Sequence, residues 1–185
     1  MSFPSGLTIT NRGRTLQAKA IAGAQLNFTK IQIGNGNLSG QLPSEMQALV
    51  SVKMTLDITR LQILSGGKAL VGTQFNNSGL VSGFYFREIG VFANDPDLGE
   101  ILYCYGNAGD AAEYIPADQG GAVIEKFIST INVIGNAANV SAVIDQSLVF
   151  VTLQEFQEFE ELACKITISE TEPEQPHAGN LWLQT

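Results

Sequence analysis

The chain holds one histidine, His177, and two cysteines, Cys104 and Cys164. A Ser-His-Asp or Cys-His centre needs an imidazole held rigidly beside its nucleophile. His177 sits instead in an acidic run with two prolines, Pro173 and Pro176. One histidine and two cysteines fall short of the four ligands of a structural zinc site. No Cys-x-x-Cys occurs, so both thiols read as free in a reducing cytoplasm. Gly34-Asn35-Gly36-Asn37-Leu38-Ser39-Gly40 has the composition of a phosphate-cradling loop. The dinucleotide fingerprint wants a third glycine where this chain has Ser39, and no Gly-Lys-Ser/Thr follows, so it reads as an ordinary turn. Asp95, Asp97 and Glu100 lack calcium-loop spacing, and Pro96 suits a tight turn. These residues predict no enzyme activity and no cofactor.

One charged pair remains, Arg87 and Glu88, inside Phe84-Tyr85-Phe86-Arg87-Glu88-Ile89-Gly90-Val91-Phe92. In a strand Phe84, Phe86, Glu88 and Gly90 share one face, and Tyr85, Arg87, Ile89 and Val91 the other. Both faces are mostly apolar, which predicts one central strand covered on both sides. Charges so close to a core need partners, so Arg87 and Glu88 are expected to form structural ion pairs within the subunit. Loss of either partner is expected to cost about 3–5 kcal/mol. A catalytic pair is the weaker reading, because no nucleophile or metal ligand lies nearby in sequence.

The elements around this stretch follow from periodicity. Thr10 reads as the N-cap of a helix over 11–22, closed by Gly23. Ile9, Gly13, Leu16 and Ala20 form a narrow apolar stripe suited to close packing on the protein's own sheet. Strands are expected at 26–33, 49–64, 69–75, 84–92, 101–105, 123–134 and 139–144. Ser65-Gly66-Gly67-Lys68 signals a hairpin. Residues 106–122 read as a long irregular connection. Thr152 with Glu155 makes a capping box, so a helix is expected from about 153 to 164. The expected class is α+β: an antiparallel β-sheet or sandwich of about seven strands, an N-terminal amphipathic helix and a C-terminal helix. The expected divisions are 1–151, 152–166 and an acidic Pro-containing linker with an apolar tail at 167–185.

The formal net charge is −8 over 185 residues, and it is unevenly spread. Residues 1–44 carry Arg12, Arg14, Lys19 and Lys30 and no acid, whereas 152–185 hold seven glutamates against Lys165. A nucleic-acid binder needs a dominant basic face, so that function is excluded as the main task. No run reaches the ~18 apolar residues of a membrane span. The charge polarity leaves two readings, solvated ends or an adaptor contact. Under the second, Arg12, Arg14 and Lys19 face an acidic partner. Thr152, Phe156, Phe159, Ala163 and Ile166 follow heptad spacing over about two heptads. An oligomerisation seam, with a trimer favoured, and a helix packed on its own domain both remain open. Leu181, Trp182 and Leu183 read as a tail that docks somewhere.

The order of motifs resembles the N-terminal domain of tail (collar) fibre proteins of contractile-tailed bacteriophages and phage-tail-like bacteriocins. The matching pieces are Leu7-Thr8-Ile9-Thr10-Asn11-Arg12-Gly13, and Ile33-Gly34-Asn35-Gly36 with Leu42-Pro43. Gly83 to Phe92 and Ile101-Leu102-Tyr103-Cys104-Tyr105-Gly106-Asn107 follow. Asn136-Ala137-Ala138-Asn139-Val140, Ile144-Asp145 and Val151-Thr152 complete the series, which covers roughly residues 7–160. The family's Gly-Asp-Gly has Asn35 at its centre here, and this chain stops at Thr185 without a long shaft. The resemblance implies a domain that anchors a fibre to the tail baseplate, as part of a homo-oligomer, with neither enzyme activity nor cofactor. The first reading is therefore a virion structural protein at the baseplate periphery, either a short fibre or an adaptor carrying another protein, such as a separate receptor-binding protein. Its place would be a virion tail or tail-like particle assembled in the bacterial host cytoplasm. The alternative is a carbohydrate-binding module for the bacterial surface, for which Tyr114 is the one aromatic candidate on a loop.

Overall fold

A computed structural model describes Phe3, residues 6–118 and 123–145, and further along 153, 156, 157, 159, 166–169 and 181–184. The chain divides into two compact units, Met1–Val149 and Phe150–Thr185.

In the first unit, Thr10 caps helix α1 (Asn11–Ile21) by accepting from Gly13 N, and its hydroxyl donates to Leu102 O at 2.6 Å. Leu16 and Ala20 are buried beneath the helix. Gly13 lies so close to the sheet that a Cβ there would sit 2.2 Å from Tyr103 O. The narrow stripe thus packs on the protein's own sheet. The helix ends at Ala22 and Gly23, where the backbone takes φ +109.

That sheet has six strands. Strand β1 (Thr8–Ile9) pairs with β8 (Gly99–Asn107), β8 with β7 (Glu88–Asp95), and β7 with β2 (Leu26–Gly34). The far edge of β2 is shared. Its first residues pair parallel with β11 (Val140–Ala142), and its last pair antiparallel with β3 (Val52–Leu56). A second sheet runs β10 (Glu125–Val133), β5 (Lys68–Asn76), β4 (Ile58–Leu64). The expected hairpin at Ser65–Lys68 joins β4 to β5, with Gly66 and Gly67 at positive φ. A short pair, β6 (Phe84–Phe86) with β9 (Glu113–Ile115), closes the unit. One apolar core takes Leu16 from α1, Ile31, Ile89 and Tyr103 from the larger sheet, Ile58 and Val71 from the smaller, and Phe84 and Ile115 from the pair.

Three expectations change. The described strands of this unit number eleven against about seven, and the β2–β11 contact is parallel. The run 49–64 breaks at Asp57, because β3 belongs to one sheet and β4 to the other. The run 84–92 breaks at Arg87 for the same reason. Arg87 N donates to Gly34 O and Arg87 O accepts from Ala108 N, so the chain crosses from the β9 partner to the β2 and β8 partners there. Residues 88–93 are buried throughout, as expected for a central strand, while β6 alternates, with Tyr85 outward.

In the second unit, residues 153, 156, 157 and 159 are helical, and the rest of the expected C-terminal helix lies outside the described residues. Strands β12 (Ile166–Ser169) and β13 (Leu181–Gln184) pair in parallel, Ile166 opposite Leu181. Ile166 is therefore a strand residue and cannot continue a helical seam. Leu181, Trp182 and Leu183 pair by backbone with 166–168.

Candidate functional site

Glu88 opens β7 with its side chain fully buried. A carboxylate there needs strong donors on both oxygens. Oε2 accepts from Gly36 N at 2.7 Å and Ser51 N at 2.9 Å. Oε1 accepts from Val50 N at 2.7 Å and from the Tyr105 hydroxyl at 2.8 Å. Asn107 Nδ2 donates to the Tyr105 oxygen at 3.0 Å and to Gly36 O at 3.1 Å, which closes the ring of contacts. Burial, together with the neighbouring Glu88 carboxylate, pushes the Tyr105 phenol well above its ordinary range, so it stays a donor.

The loop was expected to be an ordinary turn, and it is instead the cradle of this carboxylate. A Cβ on Gly36 would lie 2.5 Å from Glu88 Oε2, and one on Gly34 2.4 Å from Ser51 O. Sequence reasoning missed Gly34, Gly36, Tyr105 and Asn107. The available signal was an acid in an apolar strand together with a glycine-rich loop, whose bare backbone N–H groups suit an anion.

The expected ion pairs are replaced by other contacts. Glu88 is held by three backbone N–H groups and a phenol, and among the described residues neither it nor Arg87 forms a salt bridge. Arg87 is half-buried, its guanidinium 5.0 Å above the Tyr85 ring and 3.4 Å from Asn35 O. Tyr85 faces Tyr114 across β6 and β9, with ring centroids 5.2 Å apart and planes tilted by 59°.

Arg12 and Arg14 are exposed on α1. Lys19 departs from expectation, because it bonds Asp95 at 2.7 Å and Asp97 at 2.7 Å. Asp95 is buried, and it also accepts from Asp97 N and Leu98 N. Burial raises the Asp95 pKa, but Lys19 and the two N–H groups outweigh that and hold it below the ordinary value. Lys30 is likewise paired, with Glu100. Burial pushes the Cys104 thiol up to about 12, which makes it inert. Phe156 and Phe159 are exposed, and Ala163 lies outside the described residues. Among the described residues no group of three His, Cys, Asp or Glu is arranged to hold a metal ion.

The Glu88 cradle joins segments at 34–36, 88 and 105–107, three parts of the ordered motif series, to the loop at 50–51. The family model described as phage tail-collar fibre protein, N-terminal, matches residues 2–154. The chain belongs to the phage tail-collar fibre family. No curated protein and no solved structure matches it. The collar fibre family is one of structural tail proteins and not of enzymes, so the Glu88 centre is read as architecture: it fastens two loops to the central strands. No described helix is long and apolar enough to cross a membrane.

Proposed function

We propose that this collar fibre protein is a short tail fibre, or a fibre adaptor carrying a separate receptor-binding protein, that attaches to the baseplate of a contractile tail. It would act in a virion or tail-like particle assembled in the host cytoplasm. The observation that carries the reading is the family match over 2–154. Arg12 and Arg14 are the side chains offered to an acidic baseplate protein, because Lys19 and Lys30 are already engaged by acids of their own fold. Such complementarity sets encounter rate and register. Self-association, with a trimer as the favoured state, would use the exposed Phe156 and Phe159.

The test is complementation. Particles from cells lacking the gene are supplied with the parent chain or with Arg12→Glu/Arg14→Glu. The charge-reversed chain should melt like the parent and fail to enter tails. Normal incorporation removes the arginines from the interface. The carbohydrate-binding alternative rests on Tyr114, which lies in strand β9 opposite Tyr85 and not on a loop. Their tilt and the Arg87 cover on Tyr85 leave no flat two-ring platform. Glycan-array binding by the isolated chain would favour it.

A further inference from the structure

The carboxylate cradle encloses a reactive pair in the main chain. Asn35-Gly36 is the one Asn-Gly pair in the sequence. Its glycine has no Cβ to shield the peptide nitrogen, so that nitrogen can attack the asparagine side chain. The Gly36 N–Asn35 Cγ bond forms, and the side-chain amide leaves as ammonia with the Gly36 proton, closing a succinimide. Water then opens the ring at either carbonyl and leaves aspartate or isoaspartate at position 35.

The fold grips this peptide group at both ends with adjacent residues. Gly36 N donates to Glu88 Oε2 at 2.7 Å, and Asn35 O accepts from Arg87 Nη1 at 3.4 Å. The flanking groups are held too, Asn35 N by Ser51 O at 3.0 Å and Gly36 O by Asn107 Nδ2 at 3.1 Å. Gly36 is buried. Ring closure has to swing its nitrogen onto the Asn35 side chain, which breaks the bond to Glu88. The cradle also dictates the glycine, since a Cβ at 36 would lie 2.5 Å from Glu88 Oε2. We propose that Asn35 is a latent self-modification site, kept silent by the Arg87–Glu88 grip and released when the cradle opens. Isoaspartate routes the main chain through Cβ and lengthens it by one bond of about 1.5 Å. Gly36 N then misses Glu88 while Asn35 N stays on Ser51 O, and the cradle does not re-form. A chain that stays open is thereby retired from folding.

Peptide mass spectrometry after ageing the intact chain in mildly alkaline buffer, with and without urea, tests this. Asn35 should convert at least about tenfold more slowly in the folded chain. In buffer, Glu88→Gln should convert about tenfold faster than the parent. Gly13→Ala, which disturbs the α1 contact with Tyr103 O and not the cradle, should match the parent. Where Glu88→Gln does not fold, Arg87→Ala, which frees the Asn35 carbonyl, should still convert several-fold faster than the parent. Urea-aged chain returned to buffer should give a folded fraction depleted of isoaspartate. Equal rates in buffer and urea overturn the proposal. So do cradle variants no faster than the parent, a Gly13→Ala rate as high as theirs, or an isoaspartate content unchanged by refolding.

Discussion

A buried carboxylate with no cation beside it is stable here because four donors converge on it. Glu88→Gln replaces an acceptor oxygen with an NH2 group that faces backbone N–H donors. That variant should lose roughly 3 kcal/mol or more in urea unfolding, because several buried donors are left unsatisfied. Gly36→Ala should fail similarly by displacing the carboxylate. Arg87→Ala should cost only about 1 kcal/mol, since it loses a ring contact and one long hydrogen bond. Equal losses at the two positions would contradict this division. Asp95 makes a separate prediction. Its folded pKa lies below the ordinary aspartate value, so its stabilisation is present above that ordinary value and lost as pH falls through the folded one. Asp95→Asn keeps an acceptor for Asp97 N and Leu98 N but loses the charge that Lys19 needs. It should melt lower than the parent at pH 7, with the gap closing as pH falls through the folded pKa. A gap independent of pH would remove the ion pair from the account.

At the scale of elements, helix α1 depends on Gly13. Alanine there gains helix propensity of about 1 kcal/mol. It also places a Cβ 2.2 Å from Tyr103 O, a backbone atom that cannot yield cheaply. The clash should win, with a net loss of about 1–3 kcal/mol in thermal unfolding, and a stabilised variant would show that the helix can slide. This helix was legible in the sequence, through its cap, its stripe and Gly23. So was the Gly66-Gly67 hairpin. The break at Arg87 was not, because the apolar run continues through 84–92 on both sides of it while the pairing partners change. The cradle of Glu88 was hidden for a related reason. Its donors come from residues 36, 50, 51 and 105, and local patterning carries no record of which distant N–H groups meet. What the sequence did carry was the order of the motifs that the fold later joins.

For the whole molecule, the basic start is less exposed than its sequence suggests, since Lys19 and Lys30 meet Asp95, Asp97 and Glu100. Arg12 and Arg14 stay exposed on α1. Self-association through Phe156 and Phe159 makes its own prediction. Phe156→Glu/Phe159→Glu should reduce the light-scattering mass of the intact chain, and an unchanged mass would leave the helix without that role. The central claim, that this collar fibre protein sits at the baseplate of a contractile tail, is tested most directly by immunogold electron microscopy of purified particles carrying an epitope-tagged chain. Gold confined to the baseplate end of a sheathed tail is the predicted result. Gold along the sheath or at the head end, or particles that lack the chain altogether, would contradict it.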